Sequence, residues 1–346
     1  MKLKKEINIV IIILLIIIIQ NNSCIYPNAI TENQVNVAVL ISNPEDPFLD
    51  LIIEGLKKGE ESKKNNMEFT FFDTKKNQSI EAEILDNILK NNFDLILGNL
   101  VDTKVDTIEN FIFQIRQKNV PAILFNSEPS IITDEIRNYK KFVIVTTDPK
   151  EAGILQGKLI ADQWNKNKST MDKNKDNIMN YVMLQGAINN VGAIERTKYS
   201  ISTINNLGIK TQELSKSINF WNQQLAKESV SSLFLKYGNK IEVIISNNDA
   251  MAIGAIEALQ YYGYNKGDPT KVIPVFGIDG IPAAQELIKK GVMTGTVFEN
   301  INDTVEALYK VGLNLVYNKS PLENTSYKFS NGETVITIPY QGVITS

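Results

Sequence analysis

An α/β fold built as two lobes is what this sequence predicts, on three observations. From Val35 onward, β-branched runs alternate with amphipathic stretches of about 12 to 18 residues, the pattern of parallel strands covered by helices on both faces. The chain has 346 residues, 43% of them hydrophobic and 22% charged, enough apolar material for one large or two medium cores and too much for a disordered chain. Roughly ten strands exceed one comfortable doubly wound sheet, which favours two similar lobes with a cleft between them.

Taken in order, strands are expected at residues 35–41, 68–72, 94–97, 122–125, 142–145, 181–184, 241–245, 272–276 and 294–297, each a short run rich in Val, Ile, Leu or Phe. Helices are expected between them, among others over 48–63, 150–165, 223–236, 250–262 and 303–317, where apolar residues recur at helical spacing. Asn, Lys and Ile are abundant throughout, a compositional bias without functional meaning.

The amino terminus is a separate unit. Lys2, Lys4 and Lys5 precede an unbroken apolar run of 11 residues from Ile9 to Ile19, followed by Gln20, Asn21, Asn22, Ser23 and Cys24. That is the layout of a secretory signal peptide, the run being too short to span about 30 Å of hydrocarbon. Cys24 directly after a small residue is similar to a bacterial lipoprotein signal, in which the thiol is acylated and becomes the new first residue; Asn21 departs from the usual Leu. The expectation is a signal peptide over 1–23 and a tether over 24–34, leaving the protein extracytoplasmic and held to the membrane by lipid alone, in the periplasm or on the outer face of the cell membrane.

Composition removes several function classes. The chain contains no histidine, which excludes Ser-His-Asp and Cys-His catalysis and imidazole metal sites. Its single cysteine cannot form an internal disulfide. Lys and Arg total 36 against 39 acidic residues, so no general positive field exists to hold nucleic acid.

In open α/β sheets ligands bind beyond the carboxyl ends of the strands, and those points here are rich in amides and carboxylates. Asn43 to Phe48 follow the first strand, Gly98 to Asp102 the third, Asn247 to Met251 the seventh and Gly277 to Gly280 the eighth. Asp and Asn also cap helices, and Asp102 and Asp249 read as caps. Caps do not explain several such loops in both halves of the chain with Phe48 and Trp221 beside them. Carboxylates accept from neighbouring hydroxyls, amides donate and accept, and an aromatic face covers the apolar face of a sugar ring. The combination suits a neutral polyol, although a single Phe or Trp taken alone is more often part of a core than a ligand platform.

Along nearly the whole chain after Cys24 the sequence resembles the galactose/glucose-binding proteins of bacterial sugar ABC transporters, a type I periplasmic binding protein family. The segments that carry the resemblance are Asn99 to Asp102, Phe125 to Ser130, Thr147 to Gly157, Lys240 to Ala252, Pro274 to Asp279 and Gly295 to Val297. It implies two Rossmann-like lobes joined by a three-strand hinge, the N-terminal lobe from 35–146 plus about 300–328 and the C-terminal lobe from 147–299 plus about 329–346, with no catalysis. It also implies sugar-binding roles for Asp46, Asn99, Arg196, Asn248 and Asp279, stacking roles for Phe48 and Trp221, and a lining or hinge role for Asn126 and Glu128. Three positions depart: Asn190 and Gly192 stand where the family has His and Asp, and Glu299 replaces an asparagine. Asn190 keeps a donor, Gly192 removes an acceptor, and Glu299 supplies another; all but Gly192 are counted as ligand groups.

Residues 172–180 place oxygen side chains at positions 1, 3, 5 and 9 of a loop like the front of an EF-hand, with a backbone carbonyl available at position 7. Met183 occupies position 12, so the bidentate glutamate is absent locally, and a solvated turn is the alternative. The resemblance implies that Glu242 supplies that carboxylate, giving a structural Ca2+ held by Asp172, Asn174, Asp176, Ile178, Asn180 and Glu242. The function expected is capture of D-galactose or D-glucose by a monomer that meets a transporter permease, with a chemoreceptor as the secondary partner. The alternatives are a binding protein for a pentose or nucleoside, a chemosensory receptor, a glycosidase using Asp46 and Asp279, and a transcription regulator of the same fold. The last would need a helix-turn-helix where this chain has its signal peptide.

Overall fold

The first strand of the body, β1 (Val35–Ile41), shows how the residues make the fold. Val37, Val39 and Ile41 enter one apolar cluster while Ala38 and Leu40 enter another, because successive side chains of a strand point to opposite faces and both faces are covered. The computed structural model describes residues 34–61, 66–127, 132–332 and 334–345. The expected signal peptide, Cys24, nearly all of the tether and Glu128 lie outside them.

Seven strands form the first sheet, in the order β11-β12-β5-β4-β3-β1-β2. They are β1, β2 (Met67–Asp73), β3 (Leu95–Gly98), β4 (Ala122–Phe125), β5 (Phe142–Thr146), β11 (Phe329–Asn331) and β12 (Val335–Thr337). All neighbours are parallel except β11 with β12. Helix α1 (Pro47–Glu61) covers one face, while α2 (Gln78–Ile88), α3 (Val105–Gln117) and α4 (Asp134–Asn138) contribute to the cluster on the other.

Helices α5 (Pro149–Lys166) and α6 (Lys168–Met171) lead into the second sheet, whose order is β13-β10-β9-β8-β6-β7. Its strands are β6 (Ile178–Gln185), β7 (Lys210–Ile218), β8 (Val243–Ser246), β9 (Val275–Asp279), β10 (Gly295–Phe298) and the antiparallel β13 (Val343–Thr345). Met179, Tyr181, Met183, Val243, Ile245 and Phe276 pack with α5 on one face. Val182, Leu184, Ile244 and Val275 pack on the other with α8 (Gln223–Tyr237), α9 (Asp249–Tyr261) and α10 (Pro282–Lys289). Helix α7 (Val191–Asn206) lies closely on α5: a Cβ on Gly153 would stand 2.9 Å from the Arg196 carbonyl oxygen, and one on Gly157 2.6 Å from that of Ser200. Only glycine permits that approach.

The chain crosses between sheets three times, after β5, after β10 and after β12, as a three-strand hinge requires. The crossings are tied together: Ile338 N donates to Thr146 O at 2.8 Å, Gln341 N to Phe298 O at 2.9 Å and Phe298 N to Gly342 O at 2.9 Å. Tyr340 Oη adds a buried bond to Thr147 Oγ1 at 2.9 Å. After the second crossing, α11 (Ile301–Val316) packs on α1 and on β3, β4 and β5.

One expected boundary is corrected. The final return to the second lobe comes not at about 329 but with β13, because β12 pairs with β5 from Val335↔Ile144 to Thr337↔Thr146 and carries β11 with it. Strand β7 was not expected at all. Among the described residues no helix is long and apolar enough to cross a membrane.

Candidate functional site

Loops at the carboxyl ends of both sheets converge on a cavity of about 550 Å³. From the first sheet come Ser42, Asp46 and Phe48 after β1, Lys76 and Gln78 after β2, Asn99 to Lys104 after β3 and Asn126 after β4; from the second come Ala187 to Asn190, Gly192, Arg196, Phe220, Trp221, Asn248 and Asp279. Eight of the nine expected ligand residues therefore line one cavity, Asp46, Phe48, Asn99, Asn190, Arg196, Trp221, Asn248 and Asp279. Glu299 is not in the lining. It is buried one residue past β10, its backbone N donating to Asp279 O at 3.0 Å, and its charge raises the Asp279 carboxyl.

Several of these polar groups are held by helix starts. Asp46 Oδ1 accepts from Phe48 N at 2.9 Å at the head of α1, Asn190 Oδ1 from Ala193 N at 2.9 Å at the head of α7, and Asn248 Oδ1 from Met251 N at 3.0 Å at the head of α9. Each bond satisfies an N–H that the helix cannot. It also leaves the side chain's other polar atom for the cavity. Asn99 is more heavily used: Oδ1 accepts from Ser42, and Nδ2 donates to Phe125 O at 3.4 Å and Asn126 O at 3.3 Å. With both donor hydrogens and both lone pairs of Oδ1 engaged, Asn99 fixes the β1, β3 and β4 loops and borders the cavity as a positioning group.

The two residues read as caps behave otherwise. Asp102 Oδ1 accepts from Lys104 N at 3.0 Å and Oδ2 pairs with the Lys104 ammonium at 2.8 Å; it closes a turn ahead of α3, whose cap is Lys104. Asp249 is the first residue of α9, not its cap, and is fully buried. Its Oδ2 accepts from Gly280 N at 2.7 Å and Ile281 N at 3.0 Å, and its Oδ1 from Thr296 Oγ1 at 2.6 Å. It thereby holds the turn on which Asp279 sits, where φ is +117° at Asp279 and +73° at Gly280.

Arg196 is the central cation. Reaching from α7, its Nη1 donates to Asn247 O at 2.9 Å and to Asp279 Oδ1 at 3.3 Å, and its guanidinium lies 5.7 Å from the Trp221 ring centroid. Burial raises the Asp279 carboxyl well above the usual carboxylate range; Arg196 pulls it down, and Asp249, Glu299 and Asp46 push it up. Burial likewise raises Asp46 to about 6 and Asp249 to about 7. Asp279, Asp249 and Asp46 thus share one guanidinium, with Glu299 adding its charge to Asp279, and the raised carboxyls retain protons near neutral pH, so the site offers carboxyl donors as well as acceptors.

The aromatic wall rests on an unusual backbone. Phe220 and Trp221 have φ of +50° and +60°, a conformation bulky residues rarely adopt and one that persists only where the surroundings impose it. Gly186 makes room for the result, since a Cβ there would stand 2.3 Å from the Trp221 ring. Phe48 is buried at the head of α1 and still borders the cavity. Phe220, Ile188, Lys76, Gln78, Thr103 and Lys104 were not anticipated; the aromatic beside Trp221 was the available signal for Phe220.

In the calcium-like loop, the backbone of Lys173 and Asn180 meets Glu242. Glu242 is buried, with Oε1 accepting from Lys173 N at 2.8 Å and Oε2 from Asn180 N at 2.8 Å and Nδ2 at 3.2 Å. Asp172 Oδ2 accepts from Asn177 N at 3.1 Å, while its buried Oδ1 has no partner. Asp176 is turned onto Asn174 Nδ2 at 2.8 Å and Ile178 N at 2.8 Å. In this arrangement no three acidic, imidazole or thiol side chains among the described residues converge closely enough to hold a metal.

Two α/β lobes closing on a polar, aromatic-lined cavity define a protein built to enclose a small solute. The chain belongs to the periplasmic binding protein family, whose domain profile matches residues 37–320. It is 35% identical over 308 residues to the D-galactose/methyl-galactoside binding periplasmic protein MglB of Haemophilus influenzae, covering 89% of this chain and 88% of that one. Among solved structures it is similar to an ABC transporter solute-binding protein from Bacillus halodurans with bound myo-inositol, at a TM-score of 0.71 and 23% identity, covering 90% of this chain and 95% of that one. A second, from Actinobacillus succinogenes with bound D-allose, has a TM-score of 0.73 and 18% identity, covering 90% and 97%.

Proposed function

We propose that this protein captures D-galactose or D-glucose in the cleft and presents the closed, loaded form to the permease of an ABC transporter outside the cytoplasm. The observation that carries this reading is the buried Arg196–Asp279 pair at 3.3 Å, set in one cavity with Asp46, Asn248, Phe48 and Trp221. Sugar hydroxyls donate to the carboxylates and accept from Arg196 and the Asn248 amide, while an aromatic ring covers the apolar face of the pyranose. Contacts from both lobes are completed only on closure, so the ligand stabilises the closed state by its differential affinity. The relatives are solute-binding proteins, which supports a non-enzymatic role, and the family implies an extracytoplasmic location.

The choice of sugar turns on the departures: Gly192 brings no acceptor, the Asn190 oxygen is spent on its helix, and Glu299 stands behind Asp279. Isothermal titration with D-galactose and D-glucose, with Asp46→Ala as control, tests the assignment. Absence of heat with both sugars removes it. The reading extends to acylation of Cys24 as the membrane anchor, checked by the mass of the cell-derived amino terminus, and to Ca2+ on the 172–180 loop. The unpartnered Asp172 Oδ1 and the buried Glu242 at the mouth of that loop suit a hard cation. Asp172, Asn174, Asp176, the Ile178 carbonyl, Asn180 and Glu242 are the groups that would hold it, and the ion would tie the loop to the start of β8.

A further inference from the structure

We infer that the cleft accepts a second sugar ring, so that a disaccharide is a ligand, with the outer ring lying on Phe220. This rests on the hexose reading and extends it. The cavity measures about 550 Å³. Granting each of a hexose's dozen non-hydrogen atoms the ~30 Å³ of a liquid water molecule, a deliberate overestimate, accounts for only ~360 Å³. Space remains beyond one ring.

That space has a distinct lining. The groups that suit the first ring, Arg196, Asp279, Asn248 and Trp221, stand together through the Arg196 contacts. Phe220, next in the chain, borders the same cavity but is 56% exposed, and Ile188 is 62% exposed. Two large apolar side chains left open on a binding cleft differ from scattered surface residues, because a ligand reaches them. Gly192 adds no side chain on this wall. The first sheet contributes the polar Gln78, Asp102, Thr103 and Lys104 to the same cavity. An apolar ring surface together with donors and acceptors repeats the chemistry of the first sugar position.

The left-handed backbone at Phe220 and Trp221 strengthens the assignment. Seating Trp221 over Gly186 requires the unusual φ at 221; the second, at 220, presents another ring to the cavity. Strain of this kind marks positions where function sets the geometry.

The test is isothermal titration of the full folded chain and its Phe220→Ala and Phe220→Tyr variants with D-galactose, D-glucose and the disaccharides lactose and melibiose, which carry galactose and glucose in different linkages. The expected result is that at least one disaccharide binds the wild type within tenfold of galactose. Phe220→Ala should weaken that disaccharide about tenfold and galactose less than twofold, and Phe220→Tyr should restore it. Galactose binding with neither disaccharide binding overturns the second ring, as does an equal loss of both ligands in Phe220→Ala. Silence from all four sugars overturns the hexose reading itself.

Discussion

Replacing Asp279 by Asn separates what the carboxylate does for the ligand from what it does for the fold. The side chain is buried, bonded to Arg196 at 3.3 Å and crowded by Asp249, Glu299 and Asp46. Removing one member of a buried ion pair ordinarily costs about 3–5 kcal/mol, because the remaining charge is stranded. Here Arg196 keeps its bond to Asn247 O and its charge interactions with Asp46 and Asp249, so that penalty does not arise. The change instead relieves repulsion, and the unliganded variant should melt at or above the wild-type temperature at pH 8. For the sugar the sign reverses: hydrogen bonds to a charged group contribute about 1.5–3 kcal/mol, so the loss corresponds to roughly 10- to 100-fold in Kd. Titration calorimetry with the sugar that binds wild type gives the second number and thermal melting the first. A variant that melts lower by ten degrees or more, or binds within twofold of wild type, would refute the account of one guanidinium serving an excess of carboxylates.

Gly186→Ala should cost more than tenfold in sugar affinity, since the added Cβ meets the Trp221 ring at 2.3 Å, and should shift the tryptophan emission; unchanged emission and affinity would show that the ring is not held there. Asp46, raised to about 6 from 3.8, gives a pH prediction. Between about pH 4 and 6 the folded chain retains a proton the unfolded chain has released, so stability from this group is full below pH 4 and lost as pH rises through 6. Asp46→Asn keeps a good helix cap, so its melting temperature should gain on wild type as pH rises from 5 to 8; a constant difference would be inconsistent with the shift. Sugar affinity of the wild type should fall as pH drops below about 6, because a protonated Asp46 is a weaker acceptor. Adding Ca2+ to chelator-treated protein should raise the melting temperature by several degrees, an effect abolished in Glu242→Gln; identical melts with and without the ion would remove the cation from the loop.

The parallel core of this fold was legible because its strands are buried on both faces, and β1 and β4 fall where their apolar runs begin and end. Strand β7 was hidden by its position at the sheet edge. Its nine residues are mostly exposed or half-buried and include Lys210, Gln212, Glu213 and Lys216, so nothing apolar announces them. Strands β11 to β13 are three residues each, too short for any pattern, and only pairing to β5, β12 and β10 creates them. Helix α7 lacks a broad apolar stripe because it meets α5 through glycines rather than large side chains. Glu299 illustrates the limit at the site. Its place in the chain puts it beside the cleft, but whether it faces the ligand or backs Asp279 depends on the pairing of β10 with β9, which no local pattern encodes.

Treating Asn and Asp at strand ends as either caps or ligand groups set two roles in competition that the structure combines. A carboxylate or amide has two polar ends, and a helix start needs only one. Asp46, Asn190 and Asn248 each spend an oxygen on a helix N–H and keep the other atom at the cavity. The capping bond costs the ligand nothing and removes rotamer freedom before binding, so less entropy is lost when the sugar arrives. Asp249 shows the converse: with both oxygens engaged by Gly280, Ile281 and Thr296, it has no atom left for a ligand and serves by fixing the turn that carries Asp279. The number of polar atoms left over after the backbone is satisfied, rather than the residue type, separates the groups that face the sugar from those that hold them in place.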